Sequence, residues 1–298
     1  MRRFAIALLL SAAAWPASAH QAQEEVQVRV ERVAPGVAVL FGRGGNIGLS
    51  YGADGNVLID DQYAPLTERI LAAVRSVDPD PVRFVINTHW HGDHTGGNEN
   101  LGRQGAVIVA HDNVRRRMSI EQMLRGTPVP ASPAGALPVV TFAEGLNFHL
   151  NGDEIRVLHV EHAHTDGDAV VFWSRANVLH MGDTFFNGML PFIDLESGGS
   201  VDGVLAALGR ALEIANEDTV IVPGHGPVAR RAELVRYRDT IAGLRDRVRA
   251  EIRRGRSLDQ IKALRLADAH GRASDFISPD AFIETLYRDE TTPRGERG

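Results

Sequence analysis

Short apolar segments of the chain alternate with turn residues. Residues 26–30 alternate apolar and polar side chains, as a half-buried strand does. Residues 82–87 form a mainly apolar run rich in β-branched side chains, which is typical of a buried strand. The same criteria predict strands at 37–41, 46–51, 56–60, 105–110, 155–161, 169–173, 178–181 and 219–222.

Apolar residues at helical spacing mark the helices. In residues 66–77 the apolar positions Leu66, Ile70, Leu71 and Val74 share one face, which predicts an amphipathic helix. Further helices are predicted over 114–124, 201–215 and 232–253, and the proline-rich stretch 127–138 is predicted to be a loop. Strand-rich stretches separated by helices occur twice without a low-complexity linker. This pattern indicates one compact α/β domain made of two similar halves.

The beginning of the chain has the features of an export signal. Arg2 and Arg3 precede an apolar run over residues 4–14, and Ala17-Ser18-Ala19 supplies a small-x-small cleavage site. The run is too short to span a bilayer as a permanent helix. We therefore expect a signal peptide at 1–19 and a periplasmic or secreted protein without a membrane anchor. Residues 20–298 are predicted to form a single domain, with C-terminal helices from about 231.

Composition narrows the possible partners. The chain has 298 residues, is 44% apolar and carries a formal net charge of −6, so it offers no overall basic field for nucleic acid. It contains no cysteine, so any metal must be bound by histidine and carboxylate groups. We expect a small-molecule substrate and no nucleic-acid partner; the pattern makes no prediction of oligomeric state.

A histidine cluster follows the strand predicted at 82–87. His89, His91, Asp93 and His94 fall within six residues. Imidazole and carboxylate suit Zn²⁺, which takes N and O donors at about 2.0–2.2 Å. Residues i and i+2 of an extended stretch point the same way, so His89 and His91 can share one metal. A turn at Gly92 would direct the next two side chains towards a second metal.

The spacing H-x-H-x-D-H after an apolar strand resembles the signature of the metallo-β-lactamase superfamily. Three later motifs match that family's order: His164 in His-Thr-Asp-Gly-Asp, Asp183 in Met-Gly-Asp-Thr, and His225 in Pro-Gly-His-Gly. The resemblance covers roughly residues 26–231. It implies an αβ/βα sandwich, in which two β-sheets pack face to face with helices on the outer faces.

The resemblance also implies a pair of metal ions, most simply two Zn²⁺, with iron as an alternative. One ion would be held by His89, His91 and His164; the other would be held by Asp93, His94 and His225, with Asp183 bridging them. Two ions about 3.5–4 Å apart can share a water and lower its pKa from about 15.7 to about 7, so that hydroxide is available to attack a carbonyl. Asp93 is the predicted catalytic residue, because it can both ligate and orient that nucleophile.

Other polar residues are candidates for supporting roles. Asp60 or Asp61, at a strand end, can accept a hydrogen bond from a ligand imidazole, and Asp60 is preferred. His162 competes with His164 as a ligand, but the His-Thr-x-Gly context favours His164. Asn187 is either a hydrogen-bond donor to a substrate carbonyl or a turn asparagine. Residues 41–48, 126–138 and 185–199 are predicted to wall the pocket.

The expected reaction is hydrolysis of a β-lactam or another cyclic amide or ester by an exported binuclear zinc enzyme. The best-known lactamase branches have a cysteine where this chain has Asp183 and a nearby lysine, whereas the one lysine here is Lys262. Asp183 is similar instead to the thioesterases, lactonases and phosphodiesterases of the superfamily. Two further alternatives are an iron-dependent persulfide dioxygenase and a metal-bound binding protein without turnover.

Overall fold

The two halves of the chain form separate β-sheets. The computed structural model describes residues 26–271 and 276–292. In spatial order, the seven-stranded sheet contains β1 (Arg29–Ala34), β2 (Val37–Phe41), β3 (Ile47–Ser50), β4 (Asn56–Ile59), β5 (Val82–Ile86), β6 (Val107–His111) and β9 (Val140–Phe142). Strands β1 to β4 are antiparallel, whereas β4, β5, β6 and β9 run parallel.

The second sheet has five strands. Its order is β10 (Gly145–Leu150), β11 (Asp153–His159), β12 (Ala169–Trp173), β13 (Val178–His180) and β14 (Val220–Val222), antiparallel except for the parallel pair β13–β14. A separate hairpin joins β7 (Gln122–Leu124) to β8 (Thr127–Val129). The helices are α1 (Thr67–Val77), α2 (Gly92–Thr95), α3 (Asn98–Arg103), α4 (Asp112–Met118), α5 (Val201–Ile214), α6 (Arg231–Arg253), α7 (Leu258–Lys262) and α8 (Pro279–Thr291).

Successive side chains of each strand point to opposite faces of the sheet, so the core is divided into layers. In β2, Val37 and Val39 belong to the apolar layer between the sheets, together with Trp173 of β12. Their neighbours Ala38 and Leu40 face the other way and pack in the layer that includes α1. On the far side, the second sheet packs against α5, α6 and α8. The predicted αβ/βα sandwich is therefore confirmed.

Some elements of the structure differ from the prediction. The strand expected at 26–30 begins at Arg29 and continues to Ala34, because the chain turns at Pro35 and Gly36 to pair with β2. Strands β9 and β10 and helix α3 were not predicted. Each of them is short or lacks a regular apolar period, so the pattern alone gives no signal for it.

The helix predicted over 114–124 is wrong beyond Met118. Residues 122–124 instead form β7, which pairs with β8 inside the stretch predicted to be a loop. Arg125 and Gly126 connect the two strands and both have positive φ, at 53° and 74°. Two left-handed residues make the two-residue turn that suits a tight β-hairpin, and this turn overrides the apolar spacing.

The predicted signal peptide, residues 1–19, lies outside the described residues. None of the helices in the described ranges has both the length and the apolar character needed to cross a membrane.

Candidate metal centre

The site is built from loops that follow strands of both sheets. His89 and His91 come directly after β5, and α2 then presents Asp93 and His94. The second sheet contributes His164 between β11 and β12, Asp183 after β13 and His225 after β14. Backbone hydrogen bonds tie the two halves together here: the Asn46 amide donates to the Gly224 carbonyl at 2.7 Å.

Three imidazole nitrogens form one group. The His91 Nδ1 atom lies 3.1 Å from His89 Nε2 and 2.9 Å from His164 Nε2. All three side chains are buried. Three nitrogens at this spacing are suited to share one cation.

A second group lies beside the first. Asp93 Oδ2 is 3.6 Å from His94 Nε2 and 3.2 Å from His225 Nε2. Asp183 lies between the groups: its Oδ1 is 3.1 Å from His94 Nε2, and its Oδ2 is 3.4 Å from His225 Nε2 and 3.7 Å from His164 Nε2. The structure therefore brings the seven predicted ligands together, with Asp183 in the bridging position.

Hydrogen bonds on the far side of each ring fix which nitrogen faces the cluster. His94 Nδ1 donates to Asp60 Oδ2 at 2.7 Å, and His164 Nδ1 donates to the Phe192 carbonyl at 2.8 Å. His91 Nε2 donates to Asp194 Oδ2 at 3.0 Å. When each ring is neutral, its proton lies on this nitrogen, which leaves a free lone pair on the nitrogen that faces the cluster. This is the arrangement found around histidine ligands of metals.

The residues present fit metal ions. His94 Nε2, His225 Nε2 and Asp183 Oδ1 are buried atoms without a hydrogen-bond partner in the described part of the chain, although they lie close together. Donors bound to a tetrahedral zinc ion at 2.0–2.1 Å lie about 3.3 Å apart. The donor spacings of the second group, 3.1 to 3.6 Å, bracket that value, and those of the first group, 2.9 and 3.1 Å, lie slightly below it. A cation in the second group would satisfy atoms that are otherwise left unpaired.

Comparison with known proteins places the chain in a family. The sequence profile described as the metallo-β-lactamase superfamily matches residues 40–225, more than half of the chain. The chain belongs to the metallo-β-lactamase superfamily. An uncharacterized protein of Aquifex aeolicus is 29% identical over 175 residues, covering 57% of this chain and 79% of that protein.

A hydroxyacylglutathione hydrolase of Nitrosococcus oceani is 28% identical over 163 residues, covering 54% of this chain and 55% of that enzyme. The match thus spans about half the length of that relative. Among solved structures, a metallo-β-lactamase from Pontibacter korlensis superposes with a TM-score of 0.62 at 22% identity, covering 72% of this chain and 99% of that one. At this identity the superposition supports the metallo-β-lactamase fold alone.

In this superfamily member, Asp60 is hydrogen-bonded both to Thr88 and to the ring of His94. It accepts hydrogen bonds from the Thr88 amide at 2.7 Å and the Thr88 hydroxyl at 2.8 Å, in addition to the one from His94. Its backbone has a positive φ of 65°, a conformation that is strained for aspartate and common at functional sites. Since the Thr88 hydroxyl is already a donor to Asp60, its oxygen accepts from His89 Nδ1 at 3.0 Å. Asp60 therefore orients ligands of both groups.

The other three supporting candidates lie outside this inner set. Asp61 accepts from the Gly97 amide at 2.8 Å, so it holds the loop after α2 and not a ligand ring. His162 is exposed, and its Nδ1 lies 2.9 Å from the Gly198 carbonyl. Asn187 donates its side-chain amide to the Pro227 carbonyl at 2.9 Å, as a turn asparagine does. The structure places none of these three side chains against a ligand ring.

Asp194 is a functional residue that the sequence did not indicate. It accepts the hydrogen bond from His91 from a position 103 residues further along the chain. It also accepts from the Ser197 amide at 3.1 Å and is buried. No motif surrounds it, and the one available signal was its position in the stretch 185–199, predicted to be a pocket wall.

The two histidine groups differ in their electrostatics. Burial lowers the pKa of His164 to about 4 and that of His89 well below its usual value. Burial also acts to lower the pKa of His225, but the carboxylates of Asp183 and Asp93 outweigh it and raise that pKa to about 9. The same carboxylates and Asp60 raise the pKa of His94 well above its usual value. His89 and His164 are therefore neutral and ready to bind a cation, whereas His94 and His225 must each lose a proton to do so.

Apolar rings surround the opening of the centre. Phe192 packs beside the rings of His91 and His164, with centroids 5.9 and 5.7 Å away. Phe276 stacks on His225 at 5.5 Å and is 44% exposed. Of the predicted walls, 41–48 and 185–199 contribute Arg43 and Met189 to the cavity beside His225. Residues 126–138 are not among those that line this cavity.

Proposed function

We propose that the protein is an exported binuclear zinc hydrolase that cleaves an ester, thioester or cyclic amide at its carbonyl carbon. One observation carries the proposal: two groups of buried ligand atoms lie side by side and share the carboxylate of Asp183. Zinc ions held by these groups would supply a Lewis acid and an activated water. The absence of cysteine from the chain matches a donor set of histidine and aspartate alone.

The residues of the chain provide position and charge for that reaction. Asp93 lies at the opening, with its side chain 15% exposed. Burial acts to raise its pKa, but His94 and His225 outweigh this effect and keep the pKa below its usual value, so Asp93 is ionised at neutral pH. An ionised carboxylate there accepts a hydrogen bond from the attacking water and orients it towards the substrate. The rings of Phe192 and Phe276 at the opening limit access by other water.

A cyclic amide or ester, including a β-lactam, is the first substrate class. Lys262 pairs with Glu284 at 2.7 Å in the C-terminal helices, so it does not replace the lysine of the lactamase branches. A thioester is the second class, because several relatives of the chain are hydroxyacylglutathione hydrolases. A phosphodiester is the remaining hydrolytic alternative.

Hydrolysis by zinc-loaded protein tests the proposal. We expect turnover of at least one member of a panel containing a penicillin, a carbapenem, a homoserine lactone, a thioester and a phosphodiester. Asp93→Ala should abolish that activity. Asp239→Ala is the matched control, because Asp239 is an exposed partner of Arg238 on α6, away from the centre. Wild-type turnover by Asp93→Ala with metal still bound would contradict the assigned role of Asp93.

An iron-dependent oxidoreductase of the persulfide dioxygenase type is the alternative supported by the same donor set. Imidazole and carboxylate ligands also suit iron. Metal analysis of protein purified from its native host separates the two functions. Stoichiometric zinc with hydrolysis favours the proposal, whereas iron with oxygen uptake in the presence of a persulfide overturns it.

Export is proposed from the sequence of residues 1–19. Cell fractionation and N-terminal sequencing of the native protein test it. We expect a periplasmic or secreted form whose first residue lies near His20; a cytoplasmic protein that begins at residue 1 or 2 would contradict export.

A further inference from the structure

Two histidine rings that are not metal ligands stack face to face. The ring centroids of His111 and His159 lie 3.7 Å apart, and the ring planes differ by 7°. His111 is the last residue of β6 in the first sheet, and His159 is the last residue of β11 in the second. The stacked pair therefore joins the two halves of the chain through two titratable groups.

His159 is hydrogen-bonded to the loop that presents the metal ligand His164. Its Nδ1 atom donates to the Asp168 carbonyl at 2.8 Å. The Asp168 side chain in turn accepts from the amide of Thr165 at 2.8 Å and from its hydroxyl at 2.6 Å. Thr165 directly follows His164 in the chain. The ring of His159 thus holds one end of a closed turn whose other end adjoins a metal ligand.

His111 is linked to the same loop through helix α4. Its Nδ1 atom accepts a hydrogen bond from the Asn113 amide at 3.2 Å and so caps the first turn of α4. The Asn113 side chain donates to the Asp166 carbonyl at 2.9 Å. A Cβ atom at Gly167 would lie 3.0 Å from a side-chain atom of Val114 and 3.1 Å from its amide nitrogen. The first turn of α4 is therefore packed directly on the loop.

The surroundings of His111 favour its neutral form. Burial and the adjacent His159 ring lower the pKa of His111, although the carboxylates of Asp112 and Asp166 act to raise it. Since Nδ1 accepts the capping bond, the neutral ring carries its proton on Nε2, and an added proton must go to Nδ1. That proton would place two donors face to face and remove the cap. Acid below the usual histidine pKa of about 6.5 therefore works against this arrangement.

The two rings differ in their access to solvent. His111 is buried, whereas His159 is half-buried and lines a surface cavity together with Glu144, Glu161 and Arg210. His159 can therefore take up a proton from solvent without any change in the fold. Two positively charged rings stacked at 3.7 Å would repel each other, because like charges interact strongly at this distance. The stack is thus stable when at most one of the two rings is charged.

We propose that His111 and His159 are positioning residues that make metal retention sensitive to acid. While the rings are stacked, they hold the loop of His164 in place. When both rings carry a proton they separate, the cap of α4 is lost, and the loop is released on that side. The first metal group then binds zinc more weakly. The inference concerns metal retention, so it applies to a hydrolase and to an oxidoreductase alike.

Histidine titration of metal-free protein by NMR tests the coupling between the rings. We expect His159→Asn to raise the pKa of His111, because it removes the adjacent charge. Asparagine can place its amide nitrogen near the position of Nδ1, so the hydrogen bond to the Asp168 carbonyl is kept. His149→Asn is the matched control, because His149 is exposed on β10, and it should leave the pKa of His111 unchanged.

Zinc retention in acid tests the consequence for the centre. Competition with a chromophoric chelator gives the zinc affinity of the first group at about one pH unit above and one below the usual histidine pKa of about 6.5. The ratio of these affinities should be about tenfold smaller in His111→Asn and His159→Asn than in wild type, since an outer partner of a metal ligand changes affinity by about 10–100-fold. Protonation of the ligands themselves is common to all variants, and His149→Asn should keep the wild-type ratio.

An alanine variant separates the hydrogen bond from the charge. His159→Ala removes the donor to the Asp168 carbonyl, so it should lower the zinc affinity of the first group at both pH values. His159→Asn, which keeps that donor, should restore the affinity at the higher pH. A side chain that only filled space in the core would not show this difference.

Two outcomes would overturn the inference. One is an unchanged pKa of His111 in His159→Asn, which would show that the rings do not interact. The other is the same affinity ratio in wild type and both asparagine variants, which would show that the loop keeps its position without the pair. Neither result affects hydrolysis by zinc-loaded protein at neutral pH, so the proposed hydrolase function would stand or fall separately.

Discussion

His91 differs from its neighbours in the atom that it turns towards the centre. It uses Nδ1, because Asp194 takes the proton on Nε2, whereas His94 uses Nε2 because Asp60 takes the proton on Nδ1. Asp194 thus acts on one group through His91, whereas Asp60 contacts the ring of His94 directly and reaches His89 only through Thr88. A carboxylate in this role also makes the imidazole a stronger ligand.

We expect Asp194→Ala and Asp60→Ala to weaken metal binding at different groups. Asp194→Ala should lower affinity about 10–100-fold at the group containing His91, and Asp60→Ala should do so mainly at the group containing His94. Competition with a chromophoric chelator, followed by cobalt spectra of each variant, measures the two sites. An unchanged affinity in both variants would show that the ring positions do not depend on these carboxylates.

Metal binding at the second group should depend on pH. In metal-free protein the pKa of His225 is about 9, so this ring is protonated at pH 7 and must lose its proton before it can bind a cation. Apparent zinc affinity there should rise between pH 7 and 9 by about tenfold per pH unit for each ring that must release a proton, and His94 adds to the effect of His225. The first group is the internal control, because the pKa of His164 is about 4 and its ring is already neutral. Chelator competition at several pH values should show one site whose affinity rises and one that is flat; equal slopes would contradict this account.

The residues of the centre that were predicted from the sequence are close together in the chain or belong to a motif. His89, His91, Asp93 and His94 lie within six residues, so their type and spacing alone suggest a metal site. Asp194 and Phe276 contact the centre only because distant segments fold against it. Such contacts depend on the tertiary structure, and one sequence carries no local signal for them.

The β2–β3 loop packs directly against the second histidine group. The Gly45 amide donates to the Asp93 carbonyl at 3.0 Å, and a Cβ atom at Gly45 would lie 2.1 Å from His94 Cε1. The His94 ring is buried and cannot move aside. Glycine is therefore required at position 45, because the backbone lies too close to the His94 ring for any side chain to fit.

Gly45→Ala should disturb the second group, whereas Gly92→Ala should not. Overpacking against a buried ring costs about 1–3 kcal/mol of folding free energy, and displacement of His94 should also lower zinc affinity. Gly92 begins α2 beside the same ligands, but a Cβ atom there would meet no heavy atom within 4 Å. Urea denaturation and zinc titration of both variants test the contrast. Equal behaviour of the two would show that the loop is free to shift.

Strands β2 and β12 and the β7–β8 hairpin show why some elements were predicted from the sequence and others were not. Strands β2 and β12 have the bounds that their apolar pattern predicts, because both faces of each are buried in the sandwich. The β7–β8 hairpin is different, since its residues are largely exposed and its turn determines its structure. Gly126 was the available signal for that turn, but Arg125 in a left-handed conformation is not expected from sequence.

At the scale of the whole molecule, Trp173 lies in the core between the sheets. Its side chain is fully buried on β12, where it pairs with Ile155 and Val178. Trp173→Ala should lower the free energy of unfolding by about 3–5 kcal/mol, because it leaves a large cavity. Trp173→Phe should cost less, since it keeps most of the ring volume and removes an indole N–H that has no partner in the described residues. Urea denaturation of metal-loaded protein measures both; a loss under 1 kcal/mol for the alanine variant would contradict this packing.

The division of ligands between the sheets has a consequence for the whole chain. Four ligands follow a strand of the first sheet and three follow strands of the second, so neither half of the chain contains a complete pair of sites. A cation bound by ligands from both sheets holds the two halves of the chain together. Its affinity therefore depends on how tightly the two halves pack. A substitution deep in the interior that loosens the docking would therefore first reduce metal retention, while the protein is still folded. Under metal scarcity, natural selection would act on core residues far from the centre as well as on the ligands themselves.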